Sequence, residues 1–105
     1  VEDCALANLC AMKSKANDSF YNVGTGLRTS LKELAEMIIK LTDSNLKIEY
    51  KDREQATFVK NRIGCPIKAE REINFKAKLE LEEGLIRLIK WRNEHKSEVE
   101  ARRLA

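Results

Sequence analysis

The chain has one histidine, one proline and one tryptophan in 105 residues, and its three cysteines form no C-x-x-C pair. Zinc sites draw on thiolates and imidazoles at short fixed spacings, so no metal site is expected. The odd set Cys4, Cys10 and Cys65 fits free thiols in a reducing compartment, and a cytoplasmic location is expected. Cys4 stands near a helix start, where a thiol pKa can fall, but no base is near it in sequence and no nucleophile is assigned. No stretch is apolar over the length a bilayer requires, and no signal-peptide pattern is present. An excess of one charge is also missing: 20 basic residues stand against 17 acidic, for a net charge of +3. A nucleic-acid footprint needs basic residues gathered on one face, so neither nucleic acid nor membrane is expected as a partner. The hydrophobic content of 43% is that of a folded chain, one domain at most or a piece of a larger one.

The most organised stretch is Phe20-Tyr21-Asn22-Val23-Gly24-Thr25-Gly26-Leu27-Arg28-Thr29-Ser30. Phe20, Tyr21 and Val23 suit a pleated, buried backbone, and Gly24 and Gly26 allow a sharp turn after it. Ser30 with Glu33 three residues later predicts a capping box opening a helix. Strand, glycine turn and helix in this order make half of a βαβ unit.

Upstream, Asp3 is placed to cap a helix through Cys4-Ala5-Leu6-Ala7-Asn8-Leu9-Cys10-Ala11-Met12, in which only Asn8 is polar. Apolar positions all round a helix call for burial on more than one side, more than a chain of this size can supply. Part of a larger protein is therefore expected to be absent. Downstream, a helix over 31–41 presents Leu31, Leu34, Ala35, Met37, Ile38 and Leu41 on one face. Leu46-Lys47-Ile48-Glu49-Tyr50 alternates as a half-exposed strand does. Pro66 fits the start of a short helix, Ile67 to Ile73, which Asn74 can close in a left-handed backbone with Phe75 as its anchor. The last helix is expected from Glu82 to about Lys96, with Leu85, Ile86, Leu88, Ile89 and Trp91 as a core face, before a charged, fraying tail.

No catalytic constellation emerges. Gly24-Thr25-Gly26 is either a plain turn or a degraded dinucleotide loop, and Thr29 stands where the full fingerprint needs a third glycine. Arg53 and Arg62 are the best anion-binding candidates, since a guanidinium fork suits a phosphate or pyrophosphate; each is otherwise a solvated surface charge. Tyr21 and Tyr50 lack a lysine four residues on, and His95 suits a helix C-terminus better than a general base.

Together these pieces resemble the C-terminal part of the extended short-chain dehydrogenase/reductase family, the nucleotide-sugar epimerases and dehydratases. The likeness covers roughly residues 1 to 95. Val1-Glu2-Asp3-Cys4-Ala5-x-Ala7 resembles V-x-D-V-A-x-A. The stretch from Phe20 to Gly26, with Thr29-Ser30 and Glu33-Leu34-Ala35, resembles Y-N-V-G-x-G…T-S…E-L-A. Lys68-Ala69 with Ile73-Asn74-Phe75 resembles K-A…L-G/N-W/F, and Leu81-Glu82-Glu83-Gly84-Leu85 with Trp91 resembles L-E-E-G-L…W. UDP-galactose 4-epimerase-like enzymes are the nearest members.

The resemblance implies an NAD-dependent parent protein whose G-x-x-G-x-x-G fingerprint and Y-x-x-x-K pair lie outside this chain. No cofactor is expected for this chain alone, and no catalytic residue is assigned to it. It further implies that a UDP- or dTDP-sugar is the partner of the full-length protein, expected to be a homodimer. The family's pyrophosphate-contacting arginine falls nearest Arg53, where Glu54-Gln55-Ala56 departs from R-x-G-D, and Arg62 is the substitute. The family often has Asp where Cys65 stands, so the helix start there is expected to be weak.

The expected fold is α/β: a C-terminal fragment of a Rossmann-type enzyme with about four helices and two or three short strands. Residues 1–45 would form the last helix-strand-helix of the Rossmann layer, 46–97 the substrate-binding region and C-terminal helix, and 98–105 a tail. The expected function is the substrate-binding portion of an NAD-dependent nucleotide-sugar epimerase or 4,6-dehydratase. The alternative is a non-enzymatic interaction module using an exposed apolar helix face.

Overall fold

The computed structural model describes residues 1–52 and 60–104. It contains helices α1 (Glu2–Lys13), α2 (Leu31–Leu41), α3 (Ile67–Ile73), α4 (Leu81–Glu94) and α5 (Lys96–Leu104). Among the described residues no strand forms, which overturns the expected α/β class. A strand exists only where its N–H and C=O groups pair with a neighbour. The stretches 20–23 and 46–50 carry a strand-like side-chain pattern, but neither belongs to a ladder among the described residues. β-propensity reports fit to a half-buried pleated surface, and that surface is lacking: Phe20 is 90% exposed.

The chain divides into two compact units, one of residues 1–29 and 50–79, the other of 30–49 and 80–105. In the first unit α1 packs on α3. Asp3, Leu6, Ala7 and Cys10 recur at the three- and four-residue spacing that shares one helix face. Of these Ala7 is buried, while Leu6 and Cys10 pack at the edge of its cluster. Ala69 and Ile73, four apart on α3, fill the same cluster with Phe75, the one large side chain fully buried among the described residues. Alanine on both helices lets their backbones approach closely.

The end of α3 puts Phe75 in place. Asn74 adopts the left-handed conformation at φ 56°, and both its N–H and that of Phe75 bond the Ala69 carbonyl, the latter at 3.2 Å. Asparagine tolerates this backbone where a β-branched residue would not. The helix begins after Pro66, which takes the N-cap position in place of Cys65 and offers no side-chain cap.

Asp3 does not cap α1. Val1 is the N-cap, and Asp3 lies inside the first turn. Its half-buried carboxylate instead accepts the backbone N–H groups of Lys78 at 3.0 Å and Leu79 at 3.1 Å. Those two bonds, Lys78 first, hold its pKa below the usual carboxylate value. Being in the helix, Asp3 can serve a remote segment and leave the cap position to a residue without a suitable side chain.

In the second unit the capping box forms as expected: Glu33 N–H donates to Ser30 Oγ at 3.1 Å, and Ser30 N–H donates to Glu33 Oε2 at 2.7 Å. The Ser30 bonds, backbone first, lower the Glu33 pKa. At the other end Asp43 sits at φ 50°, with its N–H on the Lys40 carbonyl and the Ser44 N–H on the Ile39 carbonyl, which completes a Schellman turn. α2 and α5 each pack on α4. The expected core face of α4 is only partly covered, with Trp91 45% and Leu88 57% exposed. The expected frayed tail is helical as α5, after a break at His95. The His95 ring stacks on Trp91 at 4.8 Å, and its Nδ1 lies 2.9 Å from the Trp91 carbonyl, close enough to donate to it.

Candidate functional site

The candidate anion-binding residues separate in what can be said of them. Arg53 lies outside the described residues. Arg62 is exposed, on the irregular chain that leads through Gly64 and Cys65 to Pro66 and α3. It makes no ion pair among the described residues, so its five N–H donors are open to solvent or to a ligand.

Several contacts hold α3 and the chain that leads into it against residues 20–26. Lys68 Nζ donates to the Phe20 carbonyl at 3.1 Å and lies 5.0 Å from the centre of the Tyr21 ring, a cation–π arrangement. The Tyr21 hydroxyl in turn reaches Glu72 at 3.5 Å, a long contact. Asn22 approaches Gly64, and Gly26 approaches Pro66. The sequence pattern pointed to the arginines but not to this framework. Lys68 was visible only through the K-A likeness, and Asn22 through the Y-N-V-G likeness.

The glycine loop behaves as a turn. Thr25 Oγ1 accepts the Leu27 N–H at 3.2 Å, and Gly26, at φ 75°, alone of the glycines takes a positive φ. Cys4, Cys10 and Cys65 are free thiols, with Cys10 Sγ 3.8 Å from the Asn74 carbonyl. Among the described residues no group of His, Cys, Asp and Glu could hold a metal ion, and no helix is long and apolar enough to cross a membrane.

No protein-family model matches the chain. The "Probable UDP-arabinose 4-epimerase 3" of Oryza sativa subsp. japonica is 36% identical over 76 residues, which is 71% of this chain and 18% of that protein. A protein named for the same activity in Arabidopsis thaliana is 33% identical over 78 residues, 73% of this chain and again 18% of the relative. The chain is epimerase-like. Its fold agrees: the Bordetella bronchiseptica enzyme WbmF, solved with NAD+ and UDP, superposes with a TM-score of 0.79 at 27% identity, over 95% of this chain and 30% of WbmF. The same enzyme with NADH gives a TM-score of 0.78 at 28% identity. The likeness to nucleotide-sugar epimerases of the short-chain dehydrogenase/reductase type, expected from its motifs, therefore holds for the epimerase-like chain. It spans less than a fifth of the curated relatives and under a third of WbmF.

Proposed function

We propose that the chain is the C-terminal, substrate-binding portion of an NAD-dependent nucleotide-sugar 4-epimerase, and that its part in the reaction is to hold the pyrophosphate of a UDP-sugar through Arg62, with Arg53 as the second candidate. The observation that carries this is the likeness at above 30% identity to two proteins named as UDP-arabinose 4-epimerases. It is joined by a fold likeness to an enzyme solved with NAD+ and UDP. A pyrophosphate presents paired anionic oxygens, and a planar guanidinium meets two of them at once with charge-assisted hydrogen bonds.

The turn at residues 24–26 does not fit the phosphates of NAD. The glycine loop has Thr29 in place of the third glycine of a dinucleotide fingerprint, and the Thr25 hydroxyl takes the Leu27 N–H that an open phosphate loop would present. NAD, which supplies hydride transfer in this family, would sit on the remainder of a full-length protein. The proposed division places residues 1–45 against that remainder and 46–97 at the nucleotide-sugar, in a cytoplasmic, homodimeric enzyme.

The test is a titration of the chain with UDP and with uridine, followed by amide NMR. UDP should bind more tightly than uridine, and Arg62→Ala or Arg53→Ala should abolish the difference. Equal binding of the two ligands, with both arginine variants unchanged, would refute pyrophosphate recognition by this chain.

A further inference from the structure

The two glycines of Gly24-Thr25-Gly26 are not equivalent. A Cβ built on Gly24 meets nothing within 4 Å. One built on Gly26, at φ 75°, would lie 2.9 Å from Pro66 Cδ and 3.2 Å from Pro66 Cγ. Those are atoms of a closed ring that fixes its own backbone φ, so they cannot swing aside as the end of a flexible side chain can. Two residues earlier the same run comes near the 20–26 stretch again: a Cβ built on Gly64 would lie 3.6 Å from Asn22 Cβ, ordinary van der Waals contact. Lys68, two residues after Pro66, fastens it a third time through the Phe20 carbonyl. The path of residues 64–68 is thus set by residues 20–26, and Arg62 extends from its near end.

We propose that Gly26 is a positioning residue for Arg62: the missing side chain lets the turn seat directly on the Pro66 ring, and that contact sets the course of residues 62–66 and so the place from which the guanidinium reaches an anion. The role of Arg62 rests on the function proposed above, whereas the contact between Gly26 and Pro66 is independent of it. Pro66 serves as the rigid stop, and Gly26 as the only residue type that fits against it with this backbone.

The test uses the full chain with Gly26→Ala, Gly24→Ala, Pro66→Ala and the double variant Gly26→Ala with Pro66→Ala. Amide NMR follows residues 61–65, and UDP and uridine are titrated against each. Gly26→Ala should shift those amides and weaken UDP about tenfold, the loss of one charge-assisted hydrogen bond, while uridine binding is unchanged. Gly24→Ala should do neither. Adding Pro66→Ala removes the opposing ring atoms and should return the amides and most of the UDP affinity. If Gly26→Ala fails to fold, refolding on addition of Pro66→Ala supports the contact, and failure to refold overturns it. Unmoved amides in Gly26→Ala, or moved amides that Pro66→Ala does not restore, also overturn it. A wild-type chain that does not distinguish UDP from uridine defeats the pyrophosphate function instead, and the amide and rescue results still decide whether Gly26 sets this path.

Discussion

Phe75 should be the most costly side chain to remove. It is fully buried, and among the described residues it is joined in the core only by the buried Ala7, Ala69 and Ile73. Truncating such a phenylalanine to alanine removes its transfer free energy and leaves a cavity, together about 3–5 kcal/mol. The Asn74 and Phe75 N–H groups both bond the Ala69 carbonyl and tie this backbone to the end of α3, so little collapse into the void is expected. Domains of this size are stable by only about 5–15 kcal/mol, so Phe75→Ala removes a large share of the total. With a urea dependence of about 1–3 kcal/mol per molar, the midpoint by far-UV circular dichroism should fall by roughly 2 M. Phe75→Leu keeps most of the volume and should lose less than about 1.5 kcal/mol. Trp91 is the larger side chain but is 45% exposed, so Trp91→Ala should cost less than Phe75→Ala. A midpoint shift for Phe75→Ala smaller than that for Trp91→Ala would refute the placement of the core.

Ser30→Ala should remove the capping box and cost about 1 kcal/mol, visible as faster amide exchange through the first turn of α2; unchanged exchange would count against it. Asn74→Gly and Asp43→Gly each place glycine at a left-handed position and should raise the urea midpoint by the equivalent of about 0.5–1 kcal/mol, whereas Asn74→Ala should lower it. The pKa values of Asp3 and Glu33 are lowered in the folded chain from ordinary values of 3.8 and 4.5. Their contributions are therefore fully present above those values and are lost as pH falls through the folded ones. Urea midpoints should be flat from pH 7 to 5 and fall below pH 4, and Asp3→Asn should flatten that fall while lowering the midpoint at neutral pH.

Helices were legible wherever a local signal decides them. The Ser30 and Glu33 pair opens α2 at the expected residue, and Pro66, Asn74 and Phe75 bound α3 as expected because a ring-locked φ, a left-handed backbone and an apolar anchor act within a few residues. The strands at 20–23 and 46–50 were not legible, because a strand is a property of a pair and its pattern carries no information on whether the partner is present. Asp3 was misplaced for a similar reason: its partners, Lys78 and Leu79, are 75 and 76 residues away. α5 was missed because its mixed charges resemble those of a solvated tail. At the candidate site, chemistry singled out Arg53 and Arg62, whereas the close approach of Gly26 to Pro66 depends on geometry that no spacing rule records.

The central claim, that this chain holds the nucleotide-sugar of a 4-epimerase, is most directly tested by exchange into a relative. The matched segment of the rice relative is replaced by this chain, and the interconversion of UDP-arabinose with its 4-epimer is followed, with and without Arg62→Ala and Arg53→Ala. The expected result is a folded chimera that interconverts the two sugars and whose KM for the UDP-sugar rises about tenfold or more in one of the arginine variants. A folded chimera that binds no UDP-sugar, or one whose KM is unmoved by both arginine variants, would contradict it.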